Sequence, residues 1–119
     1  MTSSDAPEAV VRRHVEAFNA RDLEALLGCF GDDAGWVTGT DSFRGTEALK
    51  ELFAAAFDDL SPRLTVLSLV AQGDRVACEL REDFRVEGRP RSDHIAGFYV
   101  VEEGRITRAT IYREGSARV

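Results

Sequence analysis

The spacing of apolar residues changes once along the chain, and this change restricts the folds that are open to it. Up to about residue 60, apolar side chains recur at intervals of three and four, the spacing of an amphipathic helix. From about residue 64 onwards they alternate with polar ones, as in strands that bury one face. Helices followed by strands, without βαβ alternation, predict an α+β fold.

Three helices and four strands are predicted from these patterns. Asp5 caps a helix that runs to about Asn19, Asp22 caps a short second helix that reaches Phe30, and a third opens near Thr46. A strand-like piece covers 35–40 and a turn covers 41–45, and the four main strands cover 64–71, 75–86, 91–101 and 105–113.

The connections between the four main strands are short and glycine-bearing, which favours an antiparallel meander. We expect the helices to cover one face of a curved sheet and to leave the other for solvent or a second subunit. A chain of 119 residues is long enough for one hydrophobic core and too short for two, so a single domain over residues 1–119 is predicted.

Charge and hydropathy disfavour two classes of function. The formal net charge is −6, from 15 basic and 21 acidic residues, and the basic residues are scattered, so no nucleic-acid partner is expected. No apolar run approaches the roughly 20 residues that span a bilayer, so no membrane partner is expected either. The start "MTSSDAPEA" lacks the features of a secretory signal, which predicts a cytoplasmic protein.

The two cysteines predict neither a disulfide nor a metal site. Cys29 and Cys78 lie far apart, outside any C-x-x-C spacing, and each has apolar neighbours. Buried free thiols are therefore expected. No metal and no other cofactor is predicted.

One carboxylate interrupts the apolar phase of the stretch "VACELREDF". Glu82 shares its phase with Val76, Cys78, Leu80 and Phe84, so it is expected to point toward the core unless it reaches solvent at the rim of the sheet.

The partner of Glu82 depends on the turn at Gly88. A three-residue loop places Glu82 opposite His94 and turns His94 toward the helix-covered face, whereas a two-residue loop places Glu82 opposite Asp93 and turns His94 away. The three-residue loop is the preferred prediction because it pairs a carboxylate with a base and keeps Phe84 and Phe98 on one apolar face.

Four segments taken in order resemble the nuclear transport factor 2-like superfamily: "HVEAFNARDLEALLGCFGDDAGWV", "FRGTEALKELFAAAF", "GDRVACEL" and "GFYVVEEGRITRATIY". This superfamily includes SnoaL-like polyketide cyclases, ketosteroid isomerases and limonene epoxide hydrolases, and the resemblance covers about residues 8–115. It implies a cone of three N-terminal helices packed on a strongly curved, mainly antiparallel sheet. It also implies a deep apolar pocket and a homodimer formed through the outer sheet face.

Ketosteroid isomerases provide a comparison for single positions. His14 occupies the place of their hydrogen-bond-donating tyrosine, Thr38 that of their general-base aspartate, and Ala96 that of their protonated aspartic acid. Two of the three catalytic groups are therefore missing, and authentic steroid isomerisation is not expected. The same comparison turns Trp36 and Phe98 toward the pocket.

These observations lead to a hypothesis for the site. Glu82 and His94 form the base that removes a proton next to a carbonyl of a small hydrophobic ligand, and His14 donates a hydrogen bond to the enolate oxygen. An isomerase, cyclase or dehydratase would use such a step. The predicted ligand-binding residues are Phe18, Trp36, Thr38, Phe53, Phe57, Phe84, Ala96, Phe98 and Ile111.

Two other functions remain open. The pocket could hold a metabolite without chemistry, its polar groups orienting the ligand. Alternatively, the chain is an association module whose cone is filled by Trp36, Phe53 and Phe57. In that case the outer face of the last strand, with Ile106, Arg108, Thr110 and Tyr112, would form the homodimer.

Overall fold

The computed structural model describes residues 6–59 and 61–115 and confirms the α+β fold. The described elements are α1 (Pro7–Ala20), α2 (Leu23–Gly28), β1 (Phe30–Thr38), β2 (Asp41–Arg44), α3 (Thr46–Asp59), β3 (Arg63–Gln72), β4 (Arg75–Val86), β5 (Arg89–Glu102) and β6 (Arg105–Arg113). No helix in these two ranges is long and apolar enough to cross a membrane.

The N-terminal half differs from its prediction mainly at element ends. The Asp22 carboxylate accepts a hydrogen bond from the Ala25 amide at 3.1 Å, which confirms the predicted cap of α2, whereas Asp5 lies outside the described residues. Helix α2 stops before Phe30, which begins β1 instead. Residues 41–45 were predicted as a turn, but 41–44 form β2, antiparallel to the end of β1.

The six described strands form one open, curved, mixed sheet in the order β2-β1-β6-β5-β4-β3. Strands β3 to β6 make the predicted antiparallel meander, and β1 joins β6 in parallel. Register shifts between Val66 and Ser68 and between Val100 and Val101 mark bulges, which bend a sheet. The three helices cover one side of this sheet, here called the inner face, and leave the outer face open.

The hairpin between β4 and β5 has a two-residue turn, so the preferred three-residue loop is wrong. Val86 pairs with Arg89, and the turn residues Glu87 and Gly88 both have positive φ, 51° and 78°. Two-residue turns of this kind match the right-handed twist of the flanking strands. Because side chains alternate along a strand, the one-residue difference sends every β5 side chain to the face opposite to the predicted one.

The core lies between the helices and the inner face. Its fully buried residues include Val10 and Val11 of α1, Leu49 of α3 and Ile106 of β6. Ile106 was predicted on the outer face; the bulge at Val100 and Val101 turns it inward instead. At the end of α1 the side-chain amide of Asn19 donates to the Leu64 carbonyl and accepts from the Leu64 amide, both at 2.8 Å. This pair fixes the helix to strand β3, next to the site described below.

Candidate functional site

A small cavity of about 130 Å³ lies between α1, α3 and the inner face of the sheet. Its walls are mainly apolar, with a few polar groups at defined places. The lining residues are His14, Phe18, Trp36, Thr38, Leu52, Phe53, Ala56, Leu64, Leu80, Glu82, Ile95, Tyr99, Ile111 and Arg113.

His14 brings a polar ring into this apolar environment. Helix α1 holds it among Val10, Val11 and Phe18, and only 1% of its surface is exposed. Neither ring nitrogen has a hydrogen-bond partner in the described part of the chain. Four aromatic rings surround it at centroid distances of 5.3 to 6.3 Å: Phe30, Trp36, Phe53 and Tyr99. Burial lowers the pKa of His14 from 6.5 to about 4, so the ring is neutral at physiological pH.

Glu82 belongs to an ion-pair cluster at the edge of the cavity. It is 8% exposed and accepts a short hydrogen bond from the guanidinium of Arg113, which also donates to Asp93 at 3.0 Å. Glu82 and Asp93 are direct cross-strand neighbours on β4 and β5. Two carboxylates in this position repel each other. Arg113, from β6, lies between them and compensates this repulsion.

Tyr99, which carries a hydroxyl group, lines the same cavity. It is 3% exposed, and burial raises the pKa of its phenol, which therefore keeps its proton. Its ring crosses Gly97, two residues earlier on the same face of β5. A Cβ atom at Gly97 would lie 2.8 Å from the Tyr99 hydroxyl oxygen. Within residues 6–59 and 61–115, no hydrogen bond joins this hydroxyl to another residue.

His94, predicted as the partner of Glu82, lies on the outer face. Its Nε2 is 2.7 Å from a carboxylate oxygen of Glu79, whose other oxygen accepts from the Ser68 hydroxyl at 2.9 Å. Hydrogen bonds from His94 and Ser68 lower the pKa of Glu79. His94 is well exposed and has no access to the cavity, so the predicted Glu82–His94 pair is wrong. The register at Gly88 is the reason.

The structure thus brings together part of the predicted site. Seven predicted residues line the cavity: His14, Phe18, Trp36, Thr38, Phe53, Glu82 and Ile111. Phe57 packs on Phe18, with ring centroids 5.3 Å apart, and does not line the cavity. Phe84 has the inner phase but lies nearer the end of β4, outside the lining. Ala96 and Phe98 share the outer face with His94, so their predicted place in the pocket is wrong.

Sequence reasoning missed the polar lining residues Tyr99 and Arg113, because both depend on the register of β5 and β6. One signal was present: "EGR" occurs twice, at 87–89 and 103–105. Both Glu-Gly pairs form two-residue turns with positive φ at each residue. The repeated tripeptide indicates that both hairpins use the same turn, and the register then follows from the length of that turn, which the structure shows to be two residues.

In the described ranges no group of three or more histidine, cysteine, aspartate or glutamate residues is arranged to hold a metal ion. Cys29 and Cys78 are buried free thiols, as predicted.

Comparison with known proteins places this fold. Residues 11–109 match the family described as SnoaL-like domain. No curated protein sequence matches the chain significantly.

Solved structures of the same fold are numerous and distant in sequence. A hypothetical protein with a ketosteroid isomerase-like fold from Catenulispora acidiphila, in complex with trimethylamine, is 19% identical with a TM-score of 0.80, over 87% of this chain and 83% of that one. A putative polyketide cyclase from Sinorhizobium meliloti is 24% identical with a TM-score of 0.76, over 93% and 99%. An LEH-like epoxide hydrolase from M. tuberculosis is 20% identical with a TM-score of 0.83, over 93% and 84%. These likenesses confirm the cone-shaped fold.

Proposed function

Since the chain belongs to the SnoaL-like domain family, we propose that its inner cavity binds a small, neutral, largely apolar carbonyl compound and catalyses proton transfer next to the carbonyl. Isomerases, cyclases and dehydratases share this step. The observation that carries the proposal is His14, a buried polar ring with two unpartnered nitrogens in a cavity that also contains Glu82. Buried polar atoms are nearly always hydrogen-bonded, so a ligand that supplies the partner is the simplest explanation.

The size of the cavity limits the ligand. A cavity of about 150 Å³ in another protein holds one benzene molecule, and the cavity here is about 130 Å³. A ring of six or seven heavy atoms fits this space. A larger substrate, such as a steroid, would extend outside the cavity or require side chains to move.

The charges of the cavity disfavour an anionic ligand. His14 and Tyr99 are neutral at physiological pH because burial opposes their charged forms. The guanidinium of Arg113 already bonds two carboxylates, Glu82 and Asp93. A carboxylate or phosphate would therefore lose its hydration without gaining a counter-charge.

The proposed step uses two side chains. The Glu82 carboxylate takes a proton from the carbon next to the carbonyl, and the electrons of the broken C–H bond form an enolate. The imidazole of His14 donates a hydrogen bond to the developing oxygen charge, a role that suits a neutral ring. Return of a proton to the same carbon exchanges its hydrogen, and return to a conjugated carbon isomerises the ligand.

Cyclohexanone in D₂O is a suitable first probe, because exchange of its α-protons is visible by NMR without knowledge of the natural substrate. The wild type is expected to accelerate exchange, and Glu82→Gln to reduce this acceleration by about 10²-fold or more. Glu79→Gln, on the outer face, is the matched control and should accelerate the exchange of cyclohexanone α-protons as much as the wild type does. Equal rates for wild type and Glu82→Gln would overturn the assignment of the base.

A non-catalytic binding function is the second candidate, and one observation favours it. Glu82 already bonds Arg113, so its carboxylate is held in an ion pair. In that case cyclohexanone would raise the unfolding temperature of the wild type, but not of His14→Ala, and no exchange would occur.

The outer sheet face is the proposed site of a homodimer. It exposes several large apolar side chains, which indicates an interaction surface: Leu67, Val70, Phe98 and Tyr112. The rings of Phe98 and Tyr112 pack edge to face, with centroids 5.8 Å apart. Light scattering should show a dimer for the wild type and a monomer for Phe98→Asp. A monomeric wild type at micromolar concentration would contradict this proposal.

A further inference from the structure

Gly97 and Tyr99 form a pair on the inner face of β5. Gly97 is buried and faces Cys78 on β4 and Ile111 on β6. A Cβ atom there would lie 2.8 Å from both Cε1 and the hydroxyl oxygen of Tyr99, closer than real Cβ contacts. The Tyr99 ring can therefore lie along the strand only because residue 97 has no side chain.

This arrangement determines where the hydroxyl points. The ring leans back along β5, so that the hydroxyl lies over Gly97, between the strands that carry Cys78 and Ile111. Ile111 itself lines the cavity. The edge of the Tyr99 ring also meets His14, with centroids 5.7 Å apart. Tyr99 and His14 therefore line the same small cavity.

The Tyr99 hydroxyl is a hydrogen-bond donor that has no acceptor among the described residues. Tyr99 is nearly fully buried, its phenol keeps its proton, and no residue within 6–59 or 61–115 accepts it. A ligand oxygen would offer this hydroxyl an acceptor.

We infer that Tyr99 is a ligand-binding residue that makes the cavity specific for a ligand with a hydrogen-bond acceptor, an inference that rests on the proposed function. Gly97 is then the positioning residue that places the Tyr99 hydroxyl. A site built to donate hydrogen bonds rejects an isostere without the acceptor far more strongly than an apolar wall rejects a change in size.

Two ligands of matched shape test the inference. Cyclohexanone carries a carbonyl where methylenecyclohexane carries a CH₂ group, so the ratio of their dissociation constants reports the hydrogen bonds of the site. The wild type is expected to prefer the ketone by about tenfold or more. Tyr99→Phe keeps the ring and should reduce this preference about tenfold. Tyr112→Phe, on the outer face, is the matched control and should leave it unchanged.

Gly97→Ala distinguishes positioning from a general disturbance of the strand. By displacing the Tyr99 ring, it should lower the preference as Tyr99→Phe does. Once the hydroxyl is absent, displacing the ring removes no hydrogen bond to the ketone, so the double variant should show the same preference as Tyr99→Phe alone. A merely structural effect would weaken the binding of both ligands equally and leave the ratio of their dissociation constants unchanged.

The outcomes separate this inference from the proposed function. If the wild type binds neither probe, the proposed function fails and the inference fails with it. If the wild type binds cyclohexanone but Tyr99→Phe retains the full preference for it, the inference alone is overturned. A preference that falls in Tyr99→Phe but not in Gly97→Ala overturns the role of Gly97.

Discussion

The two histidines of the chain lie on opposite faces of the same sheet and have opposite environments. His14, under the helices, is 1% exposed and has no hydrogen-bond partner among the described residues. His94, on the outer face, is half-exposed and bonds the Glu79 carboxylate at 2.7 Å. Sequence reasoning placed both in one pocket. The comparison shows that the functional meaning of a histidine depends on its desolvation and its partners, which the residue type does not reveal.

The largest expected difference between the two histidines is in the pH dependence of protein stability. Above about pH 6.5, His14 is neutral whether the chain is folded or not. Below pH 6.5 the unfolded chain takes up a proton that the buried ring does not accept until about pH 4. The free energy of unfolding therefore falls with decreasing pH, by about 3 kcal/mol across this window, since one pKa unit corresponds to about 1.4 kcal/mol.

Urea unfolding of wild type and His14→Leu between pH 4 and pH 7 measures this contribution, because the carboxylates common to both proteins cancel in the difference. His94→Leu is the control, and its free energy of unfolding should still show the decrease with falling pH that His14 causes. If the free energy of unfolding depended on pH in the same way for wild type and His14→Leu, the assignment of a buried neutral imidazole to His14 would be contradicted.

A second contrast compares two arginine–carboxylate contacts. Arg113→Met leaves Glu82 and Asp93 opposed on neighbouring strands without their cation, and should destabilise the protein by about 2 kcal/mol at pH 7. Removal of one partner from a buried pair costs about 3–5 kcal/mol, and the value here is lower because the Arg113 side chain is 38% exposed.

Arg44 provides the control for this contrast. It bonds Asp33 at 2.7 Å, but both side chains are about three-quarters exposed, so Arg44→Met should leave stability unchanged within error. Equal effects of the two substitutions in urea unfolding at pH 7 would show that burial does not distinguish these contacts.

The smallest expected effect is a gain in stability. At pH 7, His14→Leu replaces a buried ring with two unpartnered nitrogens by an apolar side chain of similar size, and should stabilise the fold by about 1 kcal/mol while abolishing ligand binding. His94→Leu should give no such gain. A loss of stability in His14→Leu would mean that ordered water already satisfies the imidazole.

Much of the fold followed from local patterns. The change from a helical to an alternating period predicted the α+β class, and the bounds of β4 and β6 agree with their predicted ranges. Hydrophobic period and capping act within a few residues of each other and can be read along the chain. The inner phase of Glu82 was predicted in the same way, because Val76, Cys78 and Leu80 define it.

Only the tertiary structure decided what Glu82 and His14 contact. A turn of two residues instead of three reversed the faces of His94, Ala96, Phe98 and Tyr99, since side chains alternate with a period of two. Arg113 reaches Glu82 from a strand 31 residues away. Such contacts depend on register and on chain crossings that no local pattern encodes. The local patterns of the sequence therefore determined the α+β class and the inward phase of Glu82, and the pairing of strands determined the site.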